Sequence, residues 1–111
     1  MKKPEEFQRC AERLKVLADP ERLRLLILLL DGPRYVGSLA EELQHSIVKV
    51  SHHLGVLRQS GMVCSTRQGR NIQYSAAPDV FAVADSTNTA NYLDLGCCRL
   101  ELTMSPGQKR G

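Results

Sequence analysis

The stretch Ser46-Ile-Val-Lys-Val-Ser-His-His-Leu-Gly-Val-Leu-Arg-Gln-Ser-Gly-Met-Val63 decides the fold of this chain. Ser46 stands one residue before a helical run, where its hydroxyl can accept from an orphan backbone N–H, so the helix is expected to begin at Ile47. Val50, Leu54 and Leu57 recur at i, i+4 and i+7, and Ile47 and Val56 broaden that stripe into a core-facing side. Lys49, Ser51, His52, Gly55, Arg58 and Gln59 take the other side. Gly61 closes the helix, because glycine enters the left-handed C′ conformation without steric cost.

Upstream, Val36, Leu39, Ala40 and Leu43 repeat the same helical spacing, and only Gln44 and His45 separate them from the Ser46 cap. Two short helices joined this tightly make a helix-turn-helix. Downstream, Met62–Arg67 and Asn71–Ser75 are short β-prone runs joined through Gln68-Gly69-Arg70, which predicts a hairpin, or wing. The fold class expected is mostly α (α+β): a winged helix-turn-helix with a two-stranded β-wing.

The charge distribution agrees with a polyanionic partner. The net charge is only +3, yet no Asp or Glu occurs between Glu42 and Asp79, the interval that holds Lys49, Arg58, Arg67 and Arg70. A protein that approaches duplex DNA must offset phosphate charge, and each Lys or Arg contact releases condensed counterions. Base readout is assigned to the exposed N-terminal half of the second helix: Ser46, Ile47, Val48 and Lys49 at its start, Ser51 and His52 within reach of base edges or phosphates, and Arg58 near the backbone. Gln68 and Arg70 at the wing tip are expected on the minor groove or its phosphates. His53 is expected to pack inward or along the helix edge.

The remaining elements follow from the same patterns. A first helix is predicted from Pro4 to Ala18, with Phe7, Cys10, Ala11, Leu14 and Leu17 at helical spacing. Asp19 caps a second helix with Pro20 at N1, and the nearly all-apolar run from Leu23 to Leu30 belongs at the centre of the fold. Pro78–Ala84 suggests one or two helical turns, Ser86–Asn91 a loop, and Ser105–Gly111 a frayed tail. Residues 1–104 are expected to form one domain, with 105–111 a flexible tail. With 111 residues, a monomer has a limited core and gains from dimerisation. No apolar run approaches bilayer length and the N-terminus lacks a signal-peptide core, so the expected location is cytoplasmic, with no membrane partner.

Leu14-Lys-Val-Leu-Ala-Asp-Pro-Glu-Arg-Leu-Arg-Leu-Leu26, Leu39-Ala-Glu-Glu-Leu43 and Val50–Val63, continued by Gly69, Arg70 and Tyr74, closely resemble the ArsR/SmtB family of metal-responsive repressors. The resemblance covers roughly residues 8 to 80. It implies a homodimer, joined through its N- and C-terminal segments, that binds near-palindromic operator DNA and releases it when an inducer binds. Gly55 departs from the pattern, since relatives often carry Lys or Arg there.

Sensor chemistry is expected near the C-terminus, in Leu93-Asp-Leu-Gly-Cys-Cys-Arg-Leu-Glu-Leu102. Leu93, Leu95 and Cys97 alternate in one phase and Cys98, Leu100 and Leu102 in the other. Adjacent side chains of a regular strand point to opposite faces, so a bulge or kink at Gly96 is what a vicinal dithiol site requires. Two thiolates suit a soft ion, and a third is expected for trigonal As(III) or Sb(III). Cys10, brought close by the implied packing of N- and C-terminal segments, is the candidate third ligand, within one subunit or across two. Cd(II), Pb(II), Hg(II) or an oxidant are further possible inducers. Structural disulfides are not expected in a cytoplasmic chain, and Cys64, remote from other cysteines, is read as structural.

Several other functions fit less well. Tyr35–Leu43 lacks the Cys-x-Cys pair that some relatives carry on the equivalent helix, and 78–102 lacks any histidine for a zinc site of the kind others carry on their last helix. His45, His52 and His53 have no metal spacing with a cysteine. A thiol-based redox or persulfide-sensing repressor would use Cys97 and Cys98, or Cys10 with one of them, for disulfide chemistry. A constitutive architectural DNA binder would need no cysteine. Enzyme activity is not expected, since the chain has no Cys-x-x-Cys, phosphate loop or paired carboxylates placed on a cleft.

Overall fold

The computed structural model describes residues 3–85 and 88–102. The helices are α1 (Pro4–Leu17), α2 (Pro20–Leu29), α3 (Val36–Leu43) and α4 (Ile47–Gln59). The strands are β1 (Arg34–Tyr35), β2 (Val63–Gln68), β3 (Asn71–Ala76), β4 (Phe81–Asp85), β5 (Asn88–Asp94) and β6 (Arg99–Leu102). The two sheets are antiparallel and three-stranded, in the orders β1-β3-β2 and β4-β5-β6.

The caps sit where the sequence places them. The Asp19 carboxylate accepts from the backbone N–H groups of Glu21 at 2.9 Å and Arg22 at 3.2 Å. Chiefly through the Arg22 bond, its pKa is held below the ordinary Asp value. The Ser46 hydroxyl accepts from the Lys49 N–H at 3.1 Å. Gln44 ends α3 in the left-handed conformation, φ 59°, and the His45 N–H reaches back to the Ala40 carbonyl at 3.0 Å. That closure makes the turn between α3 and α4 short and fixed.

Leu25, Leu26 and Leu29 of α2 form the centre of the core with Leu39 of α3, and with Val50, Leu54 and Leu57 of α4. Met62, Val80, Leu93 and Leu95 extend this core towards the second sheet. Burying one such side chain stabilises by about 1.5–3 kcal/mol, which is why the leucine-rich α2 lies innermost.

Three expectations change. The wing sheet has a third strand, β1, whose Arg34 and Tyr35 pair with Tyr74 and Gln73. Pro78–Ala84 is not helical: a turn at 78–80 leads into β4, which pairs with β5 in register Phe81↔Leu93. A short apolar run such as Phe81-Ala-Val-Ala84 carries too few residues for periodicity to separate helix from strand, and here pairing to β5 decides. Of the predicted loop Ser86–Asn91, residues 88–91 belong to β5, while 86 and 87 lie outside the described residues, as does the predicted tail 105–111. Among the described residues no helix is long and apolar enough to cross a membrane.

Candidate functional site

The outer face of α4 and the wing tip both present exposed polar and basic side chains. Ser46, Lys49, Ser51, His52 and Arg58 are exposed, and so are Ile47 (55%) and Val48 (80%). Gln68 and Arg70 flank Gly69 in the turn between β2 and β3, and all three are exposed. Gly69 has φ 63°, which makes glycine the natural residue for this tight turn. The residues singled out from the sequence for DNA are all exposed, on the outer face of α4 and at the tip of the β2–β3 hairpin.

Contacts not foreseen from the sequence hold α4 from behind. His53 is buried on its inner face, and its Nδ1 lies 3.3 Å from Nη1 of Arg22, whose Nε donates to the Val16 carbonyl at 2.8 Å. Burial pushes the His53 pKa below its ordinary value; Asp19 opposes that shift and Arg22 adds to it. A neutral ring with Nδ1 as acceptor fits this contact. In the turn before α4, Nε2 of His45 lies 2.7 Å from Oε2 of Glu21, and a proton on that nitrogen gives the buried carboxylate oxygen a partner. Arg13 of α1 reaches the other end of α4 and donates from Nε to the Ser60 carbonyl at 3.1 Å. Only contact across the tertiary fold reveals these pairs, because neither spacing nor composition links residues so far apart in the chain.

The second centre joins the two ends of the chain. Asp94 closes β5; its Oδ1 accepts from the Gly96 N–H at 2.9 Å, and the Leu95 N–H donates to the Cys98 carbonyl at 2.9 Å. Gly96 has φ 99°, so the apparent phase slip in the sequence is a reversal of chain direction between β5 and β6. Leu93 and Leu95 anchor this turn in the core. Cys97 and Cys98 are both carried to α1, where Cys10 is fully buried. The sulfurs of Cys10, Cys97 and Cys98 all lie within 4.8 Å of one another, in one protomer. Cys10 and Cys97 are joined as a disulfide, and the Cys98 sulfur lies 4.0 Å from that of Cys10. The expectation of free thiols throughout is thus corrected. An open cleft of about 340 Å³ adjoins the turn, lined in part by Arg9, Arg13, Asp94 and Gly96.

Cys64 is also corrected: it is exposed on β2 rather than packed in the core. At the first position after Val63, strand alternation turns its side chain away from the buried face.

A winged helix-turn-helix of this design, with an exposed second helix packed on a leucine-rich core, defines a class of transcription regulators. Residues 19–65 match the family profile described as bacterial regulatory protein, arsR family. CmtR, an HTH-type transcriptional regulator of Mycobacterium tuberculosis, is 44% identical over 70 residues, which span 63% of this chain and 59% of CmtR. The transcriptional repressor SdpR of Bacillus subtilis is 35% identical over 83 residues, 74% of this chain and 90% of SdpR. The arsenical resistance operon repressor of Escherichia coli is 38% identical over 71 residues, 63% of this chain and 61% of that repressor. Among solved structures, the homodimeric winged helix-turn-helix domain Mb0332 of Mycobacterium bovis is similar at a TM-score of 0.61 and 31% identity, covering 64% of this chain and 66% of that one. This chain belongs to the ArsR family of bacterial regulatory proteins, whose members here are transcription regulators and not enzymes.

Proposed function

We propose that this chain is a homodimeric transcriptional repressor that binds double-stranded operator DNA through α4 and the wing. In this reading, soft metal or metalloid binding to Cys10, Cys97 and Cys98 releases the DNA, with As(III) or Sb(III) as the foremost inducers. One observation carries the sensor reading: three sulfurs from the two ends of the chain meet within 4.8 Å. Three thiolates suit a soft, three-coordinate ion, and a similar E. coli protein is an arsenical resistance operon repressor. The dimer reading is supported by Phe7 (54% exposed) and Leu14 (40%) on α1, an apolar face left uncovered in the single chain. The homodimeric structural relative supports it further.

The residues that would hold the ion do so only as thiolates, so the Cys10–Cys97 bond must first accept two electrons and two protons from a reductant, and the resulting thiols would give up their protons to solvent as the ion binds. That bond also favours a second reading, a thiol-redox or persulfide-sensing repressor. There, an oxidant removes two electrons and two protons from Cys10 and Cys97, and the bond itself shifts the dimer to a form with lower DNA affinity.

Cys98→Ser separates the two. Release of operator DNA is measured after arsenite or antimonite is added to reduced protein, and in parallel after a disulfide-forming oxidant. Metalloid release by the wild type that is lost in Cys98→Ser supports the three-sulfur metal reading; release by oxidant alone, retained in Cys98→Ser, supports the redox reading of Cys10 and Cys97. If the variant still responds to metalloid with unchanged affinity, Cys98 has no part in a metal site.

A further inference from the structure

The first turn of α4 carries an apolar pair that the fold leaves uncovered. Val48 is 80% exposed and Ile47 55%. At about 100° per residue, Val48 points away from the buried face of Val50, His53, Leu54 and Leu57, so no rotamer returns it to the core. β-branched residues lose rotamer freedom in a helix, and here that loss is not offset by burial within the chain. Ser51, His52 and Gly55 share the face of Val48. A Cβ on Gly55 would meet nothing within 4 Å, so the fold does not require a glycine in mid-helix. An uncovered methyl-bearing side chain followed by a bare stretch of backbone suits a close approach to a concave partner.

We infer that Val48, with Ile47 beside it, reads the 5-methyl groups of thymine in the major groove, and that Gly55 lets the helix lie deep enough for this contact. The inference rests on the proposed role of α4 as the DNA-reading helix, and it names the base feature that helix selects. The thymine methyl is the apolar group that base edges offer in the major groove, and aliphatic side chains are its natural contacts. The surroundings favour DNA over a protein partner. The pair is set among Lys49, Ser51 and His52, in an interval from 43 to 78 that contains no carboxylate side chain, and it is separate from the uncovered apolar pair Phe7 and Leu14 on α1.

The test begins with selection of the preferred site from a random duplex pool by the full-length protein under reducing conditions. Each thymine of that site is then replaced by deoxyuridine, which removes the methyl and leaves the hydrogen-bonding edges intact. For the wild type, one or two such replacements per half-site weaken binding about four-fold each, the size expected for one buried methyl group. Val48→Ser abolishes that sensitivity. Val48→Thr, which keeps the branched shape and one methyl, retains part of it. Specific binding that is indifferent to uridine at every thymine, or equally sensitive in wild type and Val48→Ser, overturns the methyl contact alone. If no sequence is enriched from the pool, the DNA-reading role of α4 fails and the inference with it.

Discussion

Arg13 and Ser60 join the helix that carries Cys10 to the end of α4: Nε of Arg13 donates to the Ser60 carbonyl at 3.1 Å. The last carbonyls of a helix have no partner within it, so this bond satisfies an otherwise orphan acceptor at the close of α4. Arg13 lies three residues beyond Cys10, on the adjoining turn of α1. Were chemistry at the sulfurs to shift α1, this bond would carry the shift to the α4 terminus. Arg13→Ala is expected to reduce the ratio of operator affinities without and with inducer by about 2- to 30-fold, the range of mutational effects on coupling. Inducer affinity of the variant, measured without DNA, should stay unchanged, since the coupling is expressed only when both ligands bind. An unchanged affinity ratio in Arg13→Ala would remove this contact from the route.

Two glycines of the same region should respond in opposite directions. Gly55 has open space around its missing Cβ, so Gly55→Ala is expected to stabilise the protein by about 1 kcal/mol through helix propensity. Gly61 has φ 79°, and an added Cβ would come within 3.1 Å of Arg13 Nη2. Gly61→Ala is expected to destabilise by about 1–2 kcal/mol. Urea unfolding of both variants, with the denaturant slope checked for constancy, measures the contrast.

Acid should weaken the support behind α4. The folded-state pKa of His53 lies below the ordinary 6.5, so folding favours the neutral ring. The corresponding stability is fully present above pH 6.5 and is lost as pH falls from there through the depressed folded value. His53→Gln, which cannot take up a proton, should flatten the decline of unfolding free energy across that window. A wild-type profile identical to that of the variant would contradict the assignment.

Charge and base contacts should separate in salt titrations. Arg70→Ala at the wing tip is expected to weaken binding to all duplexes and to reduce the slope of log affinity against log salt by about one. His52→Ala should instead change the preferred sequence with little effect on that slope. Equal losses on operator and random DNA for both variants would refute the division.

The sequence made the reading module legible and the second sheet illegible for the same reason. Ser46, Val50, Leu54, Leu57 and Gly61 follow local rules of capping and periodicity, and α4 spans Ile47–Gln59 as those rules predict. Phe81–Asp85 and Asn88–Asp94 form strands because they pair with one another, a relationship that no short window contains. The cysteines fall between these cases. Gly96 marked a break in phase next to the vicinal pair, expected as a bulge or kink, but the full reversal between β5 and β6 and the meeting of Cys98 with Cys10 at 4.0 Å depend on strand pairing and on how the hairpin docks on α1. Arg13–Ser60 and Arg22–His53 left no trace in spacing at all, since each joins residues far apart in the chain that only the tertiary fold brings together.

The account stands most directly on the operator affinity of one fully reduced preparation, measured by fluorescence anisotropy on its own promoter duplex with and without saturating arsenite or antimonite, metalloid binding being confirmed on the same sample. It predicts a weakening of about 5- to 150-fold, the usual range of a coupling between two sites, and no weakening when Cys10, Cys97 and Cys98 are all serine. Metalloid bound at the three sulfurs with operator affinity unchanged would contradict it.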